Sequence, residues 1–216
     1  MPHFFKTPHF ISKIFPSIYW KIPTQEPTIF LTFDDGPIPQ LTPWVLDILA
    51  QYKAKATFFC VGENIEKYPE VFMRIISEKH QVGNHTYHHL NSWKTASKNY
   101  ISDVLACQHI IEKYHLYSYL FRPPYGKLTW QVKKILENTH KQKIVLWDML
   151  SYDFDASVSP ENSLRQLRKH SQKGSIIVFH DNLKAQKNLA YILPSFLEYF
   201  STKGFRFEVL PTQHFA

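Results

Sequence analysis

The segment TIFLTFDDGP, residues 28–37, ends a mostly apolar run in two adjacent carboxylates and a glycine–proline turn. Residues 28–33 predict a short strand that is covered on both faces, as in a parallel sheet. Asp34 and Asp35 follow that strand directly. Neighbouring carboxylates repel each other, and a cation bound by one of them would relieve the repulsion and leave the other free as a base. Taken alone, the pair also fits a plain aspartate turn that closes a strand.

Strand-like and helix-like segments alternate through the rest of the chain. The further predicted strands are residues 56–61, 81–84, 119–121, 143–147, 175–179 and 205–210. The predicted helices are residues 43–52, 69–79, 95–114, 129–137, 160–171 and 187–202. Two of these helices begin with a polar cap followed by proline, which is a good start signal. Seven strands alternating with six helices predict one α/β unit with a parallel sheet, either open or closed into a barrel.

The N-terminal part of the chain differs from this pattern. Residues 1–27 are interrupted by prolines and predict an extended N-terminal arm, while residues 28–216 predict a single domain. Residues 1–23 lack the apolar core of a signal peptide. No stretch approaches the ~20 apolar residues needed to cross a bilayer, so we expect no transmembrane segment.

The composition is that of an ordinary globular protein, with 216 residues, 44% hydrophobic and 20% charged. The formal net charge of +7 would attract acidic polymers. The basic residues are scattered over helix-like stretches, however, and no nucleic-acid-binding motif accompanies them, so we expect no nucleic-acid partner. Cys60 and Cys107 fall in an apolar run and an amphipathic helix, and we predict two buried free thiols rather than a disulfide.

Reactive side chains follow five of the predicted strands. They are Asp34 with Asp35, then His85, Arg122, Asp148 and His180. Parallel strands in β/α barrels present their C-terminal ends to one mouth, where catalytic groups gather. We therefore predict that these side chains meet at the C-terminal edge of the sheet.

Residues 85–89 read HTYHH and contain two histidines at a ligand-like spacing. On one helical turn the Cβ atoms of His85 and His89 would lie about 5–6 Å apart, and two imidazoles can then share a zinc ion at roughly 2.0–2.1 Å each. An exposed polar turn is the alternative, and His88 is not expected to bind. With Asp35, the two histidines would leave one position open for water, as in hydrolytic metal sites.

Such a site would support amide hydrolysis. A bound metal lowers the pKa of its water from about 15.7 towards about 7 and polarises a carbonyl group. Asp34 could then take a proton from the water, and His180 could protonate a departing amine. The turn RPPYG at residues 122–126 could hold the N–H of Tyr125 in place as an oxyanion donor. Arg122 could orient Asp34 and keep it ionised, or could be a surface arginine beside a structural turn.

Five ordered motifs, TFDDGP, HTYHH, RPPYG, WDMLSYDF and VFHD, resemble those of the polysaccharide deacetylase family, the NodB-homology domain of carbohydrate esterase family 4. The likeness runs from about residue 28 to about residue 210. It implies a distorted (β/α)7 barrel that removes acetyl groups from N-acetylated glycans of the chitin-oligosaccharide or peptidoglycan type, or less often from acetylated xylan. It also implies one divalent metal ion, zinc in the first place, with cobalt, manganese or nickel as alternatives.

The resemblance also implies a role for each matching residue. The implied metal ligands are Asp35, His85 and His89. The implied catalytic residues are Asp34 as base, His180 as acid and Arg122 as the partner of the base. The implied substrate-binding residues are Tyr125 through its N–H, and Phe154 and Val178 as walls of the acetyl pocket.

Two positions of the fourth motif depart from the family pattern. Where the family has an aspartate that supports the acid histidine and a tryptophan in the pocket, this chain reads Leu150 and Phe154. Replacing a carboxylate partner with an apolar neighbour should lower the pKa of His180. We therefore predict that Asp153 or Asp148 takes the place of the missing partner.

Other functions stay open at this point, because a fold does not determine an activity. The main alternative is a catalytically silent carbohydrate-binding domain; an iron-dependent redox enzyme and other C–N hydrolases are further ones. The glycan and the oligomeric state are undetermined. The lack of an evident signal segment favours a cytoplasmic location, whereas the implied substrate favours an extracytoplasmic one.

Overall fold

The computed structural model describes residues 3–212, so that residues 1–2 of the predicted arm and residues 213–216 of the predicted domain lie outside the described part. Seven parallel strands form a curled half-barrel surrounded by helices, which confirms the predicted single-domain α/β fold. The strands are β1 (Thr28–Asp34), β2 (Ala56–Cys60), β3 (Gln81–Asn84), β4 (Leu120–Phe121), β5 (Lys143–Ile144), β6 (Met149–Leu150) and β7 (Ile176–His180). Their order in the sheet is β5-β4-β3-β2-β1-β7-β6, and a short β8 (Arg206–Phe207) pairs with β1.

Eight α-helices lie in the described part of the chain. They are α1 (His9–Ile14), α2 (Thr42–Gln51), α3 (Gly62–Lys67), α4 (Pro69–Ser77), α5 (Ser97–Glu112), α6 (Trp130–Asn138), α7 (Pro160–His170) and α8 (Gln186–Thr202). All six predicted helices are present, whereas α1 and α3 were not predicted. The side chains of Thr129 and Ser159 cap α6 and α7 by accepting N–H groups of the first turn. None of the helices within residues 3–212 combines the length and apolar character needed to span a membrane.

Strand β1 lies at the centre of the sheet and is buried along its whole length. Phe33 stacks on Phe58 of β2 and on Phe179 of β7, with ring centroids 5.0 and 5.7 Å apart. This packing fixes the register of β1 against both neighbours. Cys60 and Cys107 are buried and free, as predicted.

The predicted strand 143–147 is wrong beyond Ile144, because the chain there pairs with the N-terminal arm. Tyr19 N–H donates to Ile144 O at 2.9 Å, and Leu146 N–H donates to Tyr19 O at 2.8 Å. Asp148 therefore does not end a strand at the mouth of the half-barrel, contrary to the prediction. Its carboxylate instead accepts a hydrogen bond of 2.5 Å from Ser175 Oγ, beside the start of β7.

The arm lies along both edge strands of the half-barrel. Lys6 forms an antiparallel bridge with Met149 of β6, and Tyr19 forms a parallel bridge with Val145 just beyond β5. Phe5 is buried against the core. The arm is not extended throughout, since it contains α1, but its contacts attach it to the domain at the two exposed strand edges.

Candidate active site

Four strands deliver polar side chains to one mouth at the C-terminal edge of the sheet. Asp34 at the end of β1 and His180 at the end of β7 are direct register partners. Asn84 of β3 and Phe121 of β4 are register partners as well, so the residues that follow them, His85 and Arg122, are neighbours. The mouth encloses a cavity of about 740 Å³. Among the predicted site residues, those that line it are Asp34, Asp35, His85, His89, Tyr125, Phe154, Val178 and His180.

The three predicted metal ligands lie together. Asp35 Oδ1 is 3.5 Å from His85 Nε2 and 3.0 Å from His89 Nε2, and one ligand atom from each residue lies within 4.8 Å of the others. The expected helical turn is absent, since residues 85–89 form no helix and Thr86 and His89 have φ of 65° and 55°. A tight irregular turn, and not helical spacing, therefore brings the two imidazoles together.

Each ligand is oriented by neighbouring groups. His85 Nδ1 lies 2.7 Å from the carbonyl oxygen of Arg122, which can only accept, so Nδ1 donates to that oxygen and Nε2 is the nitrogen that faces Asp35. Asn182 Nδ2 donates to Asp35 Oδ2 at 2.5 Å, and Asn64 Nδ2 donates to Asp35 O at 2.7 Å. Burial would raise the pKa of Asp35, but hydrogen bonds from His85 and His89 outweigh it and hold that pKa well below its usual value. The donor set of two imidazoles and one carboxylate fits a divalent cation such as zinc.

Asp34 is paired with a fully buried guanidinium. Arg122 Nη1 donates to Asp34 Oδ1 and to Thr32 Oγ1, each at 2.7 Å, and the guanidinium lies 4.1 Å over the Phe59 ring. Burial lowers the pKa of Arg122, and the charge of Asp34 opposes that shift. Asp34 Oδ2 accepts no hydrogen bond from the described protein, so it is available to a molecule in the cavity. Arg122 is thus an interior residue, and the alternative of a surface arginine is wrong.

Asp153, and not Asp148, is the partner of His180. Its Oδ1 lies 2.8 Å from His180 Nδ1, and its Oδ2 accepts the backbone N–H of His180 at 2.8 Å. Burial would lower the pKa of His180, but the charge of Asp153 and its hydrogen bond raise it to about 9, with smaller contributions from Asp35 and Asp34. Asp153 thus replaces the missing partner, as predicted for Asp153 or Asp148, and the lowering of the pKa expected from the loss of a carboxylate does not occur. Leu150, which stands where the family pattern was expected to have an aspartate, lines the cavity.

Three of the site residues have left-handed backbone conformations. The φ angles are 80° at Asp35, 55° at His89 and 62° at Tyr125. Such angles are uncommon outside glycine and are maintained only when surrounding contacts impose them. At Tyr125 those contacts are two hydrogen bonds of the turn. Gly126 N–H donates to Pro123 O at 3.0 Å, and Lys127 N–H donates to Pro124 O at 3.2 Å.

The walls of the cavity combine apolar and aromatic groups. The Phe154 ring packs edge-on against the His180 ring at 4.8 Å, and the Tyr125 ring packs against His89 at 4.8 Å. Val178 is fully buried and also lines the cavity.

Sequence reasoning missed Asp181 and Asn182, which follow His180 directly. Asp181 Oδ1 accepts Gly36 N–H at 3.1 Å and its Oδ2 accepts the hydroxyl of Thr42 at 2.5 Å, so it holds the turn that carries Asp35. Burial raises the pKa of Asp181 to about 7, although the hydrogen bond from Thr42 opposes the rise. Both residues directly follow His180 at the end of a predicted strand, and that position could have indicated that they lie at the site.

Residues 21–144 match the family model described as Polysaccharide deacetylase. The chain is 34% identical over 191 residues to a peptidoglycan-N-acetylglucosamine deacetylase of Bacillus cereus, covering 88% of this chain and 89% of the relative. It is 31% identical over 163 residues to a chitooligosaccharide deacetylase of Azorhizobium caulinodans, covering 74% and 77%. It also matches the crystal structure of the Bc1960 peptidoglycan N-acetylglucosamine deacetylase with a TM-score of 0.86 and 32% identity, covering 94% of this chain and 95% of that one.

Proposed function

This chain belongs to the polysaccharide deacetylase family, and on that premise we propose that it is a metal-dependent hydrolase that removes acetyl groups from N-acetylated glycans of the peptidoglycan or chitin-oligosaccharide type. The single observation that carries the proposal is the meeting of Asp35, His85 and His89 in the cavity that Asp34 and His180 also line. The activities for which the two relatives are named support the substrate class.

A divalent cation, which we propose to be zinc, would be held by Asp35 Oδ1 and by the Nε2 atoms of His85 and His89. The donor set of two imidazoles and one carboxylate suits zinc, and three protein ligands are typical of a catalytic rather than a structural site. When bound, the cation would act as a Lewis acid on the acyl oxygen and make water more acidic.

Asp34 is the proposed base. Its Oδ1 is fixed by Arg122, so Oδ2 is directed towards the cavity and can accept a proton from the attacking water. The guanidinium of Arg122 lies 2.7 Å from Asp34 Oδ1 and balances a carboxylate charge in this buried site. Arg122 is thus a positioning residue for the base.

The backbone N–H of Tyr125 is the proposed donor to the oxygen that gains negative charge when water adds to the acetyl carbon. His180 then donates its Nε2 proton to the amine nitrogen as the C–N bond breaks, which releases acetate and a free amine. Its Nδ1 proton is held by Asp153, so Nε2 is the nitrogen that faces the substrate. Phe154 and Val178 would enclose the acetyl methyl group.

The alternative of a silent carbohydrate-binding domain rested on Leu150 and on the high aromatic content of the chain. Asp153 supplies the carboxylate partner of His180 that Leu150 cannot, which removes the first of these two motives. We also propose that the protein acts outside the cytoplasm, because the Bacillus cereus relative is named as a peptidoglycan deacetylase.

The test is acetate release from chitotetraose and from peptidoglycan oligosaccharides by protein loaded with zinc, cobalt, manganese or nickel. We expect Asp35→Ala to lose both bound metal and activity, since it removes one of three ligands. We expect Asp34→Asn to keep its metal and lose turnover. Metal content is measured by mass spectrometry on the same samples, and full activity in metal-free protein or in Asp34→Asn would refute the assignment.

A further inference from the structure

The segment between β7 and α8 is fastened to the proposed metal site. Asn182 donates to Asp35 Oδ2 at 2.5 Å and accepts Ala185 N–H at 3.0 Å, while Asp181 binds the Gly36 N–H. Ala185 is fully buried. Residues 183 and 184 lie between these fixed points, so their backbone has a defined position relative to Asp35.

Leu183 and Lys184 are exposed and line the same cavity as the proposed metal ligands. Leu183 is 60% exposed and presents an apolar surface at the mouth. A hydrophobic side chain held open to solvent at the edge of a glycan-sized cavity can pack against the apolar face of a sugar ring. Lys184, the next residue, places an ammonium group at the same edge.

The edge of the cavity formed by residues 183 and 184 carries a positive charge that no described residue pairs with. Two lysines line the cavity, Lys67 and Lys184. Lys67 is neutralised by Glu63, with Nζ and Oε1 2.7 Å apart. Lys184 forms no ion pair or side-chain hydrogen bond within residues 3–212. The carboxylates deeper in the cavity are already engaged by Arg122 and by the histidines.

We propose that Lys184 binds a carboxylate on the glycan next to the acetamide that is cleaved. The preferred substrate is then a carboxylate-bearing glycan, of the kind in which N-acetylglucosamine alternates with N-acetylmuramic acid, and not a neutral chitin fragment. This inference rests on the proposed function. A lysine suits the task because its long stem lets one ammonium group follow a carboxylate on a flexible lactyl or peptide chain.

Three soluble oligosaccharides of equal length identify the carboxylate. Chitotetraose carries none. A peptide-free strand of alternating sugars carries the free lactyl carboxylate. A peptide-bearing strand has that carboxyl converted to an amide, so its carboxylates belong to the peptide. The kcat/KM for acetate release is measured on each, with the wild type, Lys184→Met and Lys187→Met.

Lys187→Met is the matched control. Lys187 is exposed and lies three residues further on, but it does not line the cavity. Both substitutions remove one positive charge, so any effect of net charge alone appears equally in both. We expect Lys184→Met to lower the ratio of anionic to neutral kcat/KM about two- to fivefold, which is the range of a partly exposed ion pair, and Lys187→Met to leave that ratio unchanged.

A second readout does not depend on turnover. Calorimetric binding of the same three oligosaccharides to Asp34→Asn, with and without Lys184→Met, should show a loss of affinity for the anionic ones alone. That loss should shrink as salt is raised from 50 to about 500 mM, because salt screens exposed charges.

The outcomes separate the two proposals. A lowered ratio for the peptide-free strand assigns the lactyl carboxylate, and a lowered ratio for the peptide-bearing strand alone assigns the peptide. Equal ratios in wild type, Lys184→Met and Lys187→Met, in an enzyme that releases acetate from all three, overturn the role of Lys184 and leave the deacetylase intact. Selective loss of binding without acetate release from any glycan supports Lys184 but rejects the proposed function.

Discussion

Replacing Asp153 with asparagine tests whether His180 is the acid and whether Asp153 sets its protonation. Asparagine has nearly the same shape and keeps an oxygen that can accept the Nδ1–H of His180. It removes the charge that raises the pKa of His180 to about 9 against the opposing effect of burial. The pKa of His180 in the variant should therefore fall towards or below its ordinary value.

The size of the effect follows from that pKa. At pH 8 an imidazole with a pKa of about 9 is about 90% protonated, whereas one with an ordinary pKa of about 6.5 is about 3% protonated. At pH 6 both are mostly protonated. The acid must carry its proton to assist the departing amine. From pH 6 to pH 8, the activity of Asp153→Asn should therefore fall up to about 20-fold more than the activity of the wild type.

The assay is kcat/KM for acetate release between pH 5 and pH 10 at a fixed metal concentration. The alkaline limb should lie at lower pH in Asp153→Asn than in the wild type. A bound cation lowers the pKa of His180 in both proteins, so the separation between the two limbs is the quantity that matters. Asp148→Asn is the control, since Asp148 binds Ser175 and not His180, and its limb should coincide with that of the wild type. Coincident limbs for Asp153→Asn and wild type would falsify the reasoning.

Two further substitutions test the groups behind the site. Arg122→Met should lower the free energy of unfolding by about 3–5 kcal/mol in urea titrations, because it leaves Asp34 as an unpaired buried charge. Adding Asp34→Asn to this variant should recover part of the lost stability. No recovery would mean that the loss comes from packing and not from charge. Gly36→Ala should reduce zinc retention as measured by equilibrium dialysis, because a Cβ there would lie 2.0 Å from Asp181 Oδ2 and displace the turn that carries Asp35. Gly204→Ala, at a left-handed position with no atom near its Cβ, should cost some stability but retain zinc fully, and equal retention by both variants would contradict the argument.

Much of the site was predictable from the sequence because one geometric rule governs it. The strands are parallel, so residues that directly follow buried apolar runs must meet at one edge of the sheet. That rule alone brought together Asp34, His85, Arg122 and His180. It worked best where the strands are well marked, as in β1 and β7, whose central position makes their apolar runs continuous.

The rule failed where the strands are short. Beyond Ile144 the N–H of Leu146 donates to Tyr19 O of the arm, a partner more than 100 residues away along the chain. No local pattern in residues 143–154 indicates that pairing, so the direction of Asp148 and the position of Leu150 were misjudged. The helical spacing assumed for His85 and His89 was likewise incorrect, although the two residues do meet.

The sequence by itself determined the α/β fold, the mouth of the half-barrel and the ligand and base candidates, because strand ends and local motifs encode them within a few residues. Only the tertiary structure decided which carboxylate supports His180, what holds Asp35 in place and which lysine at the mouth is unpaired. Those choices depend on side chains that are distant in sequence and meet only after packing. Their distances and charges, which set pKa values and free energies, exist only in the folded chain.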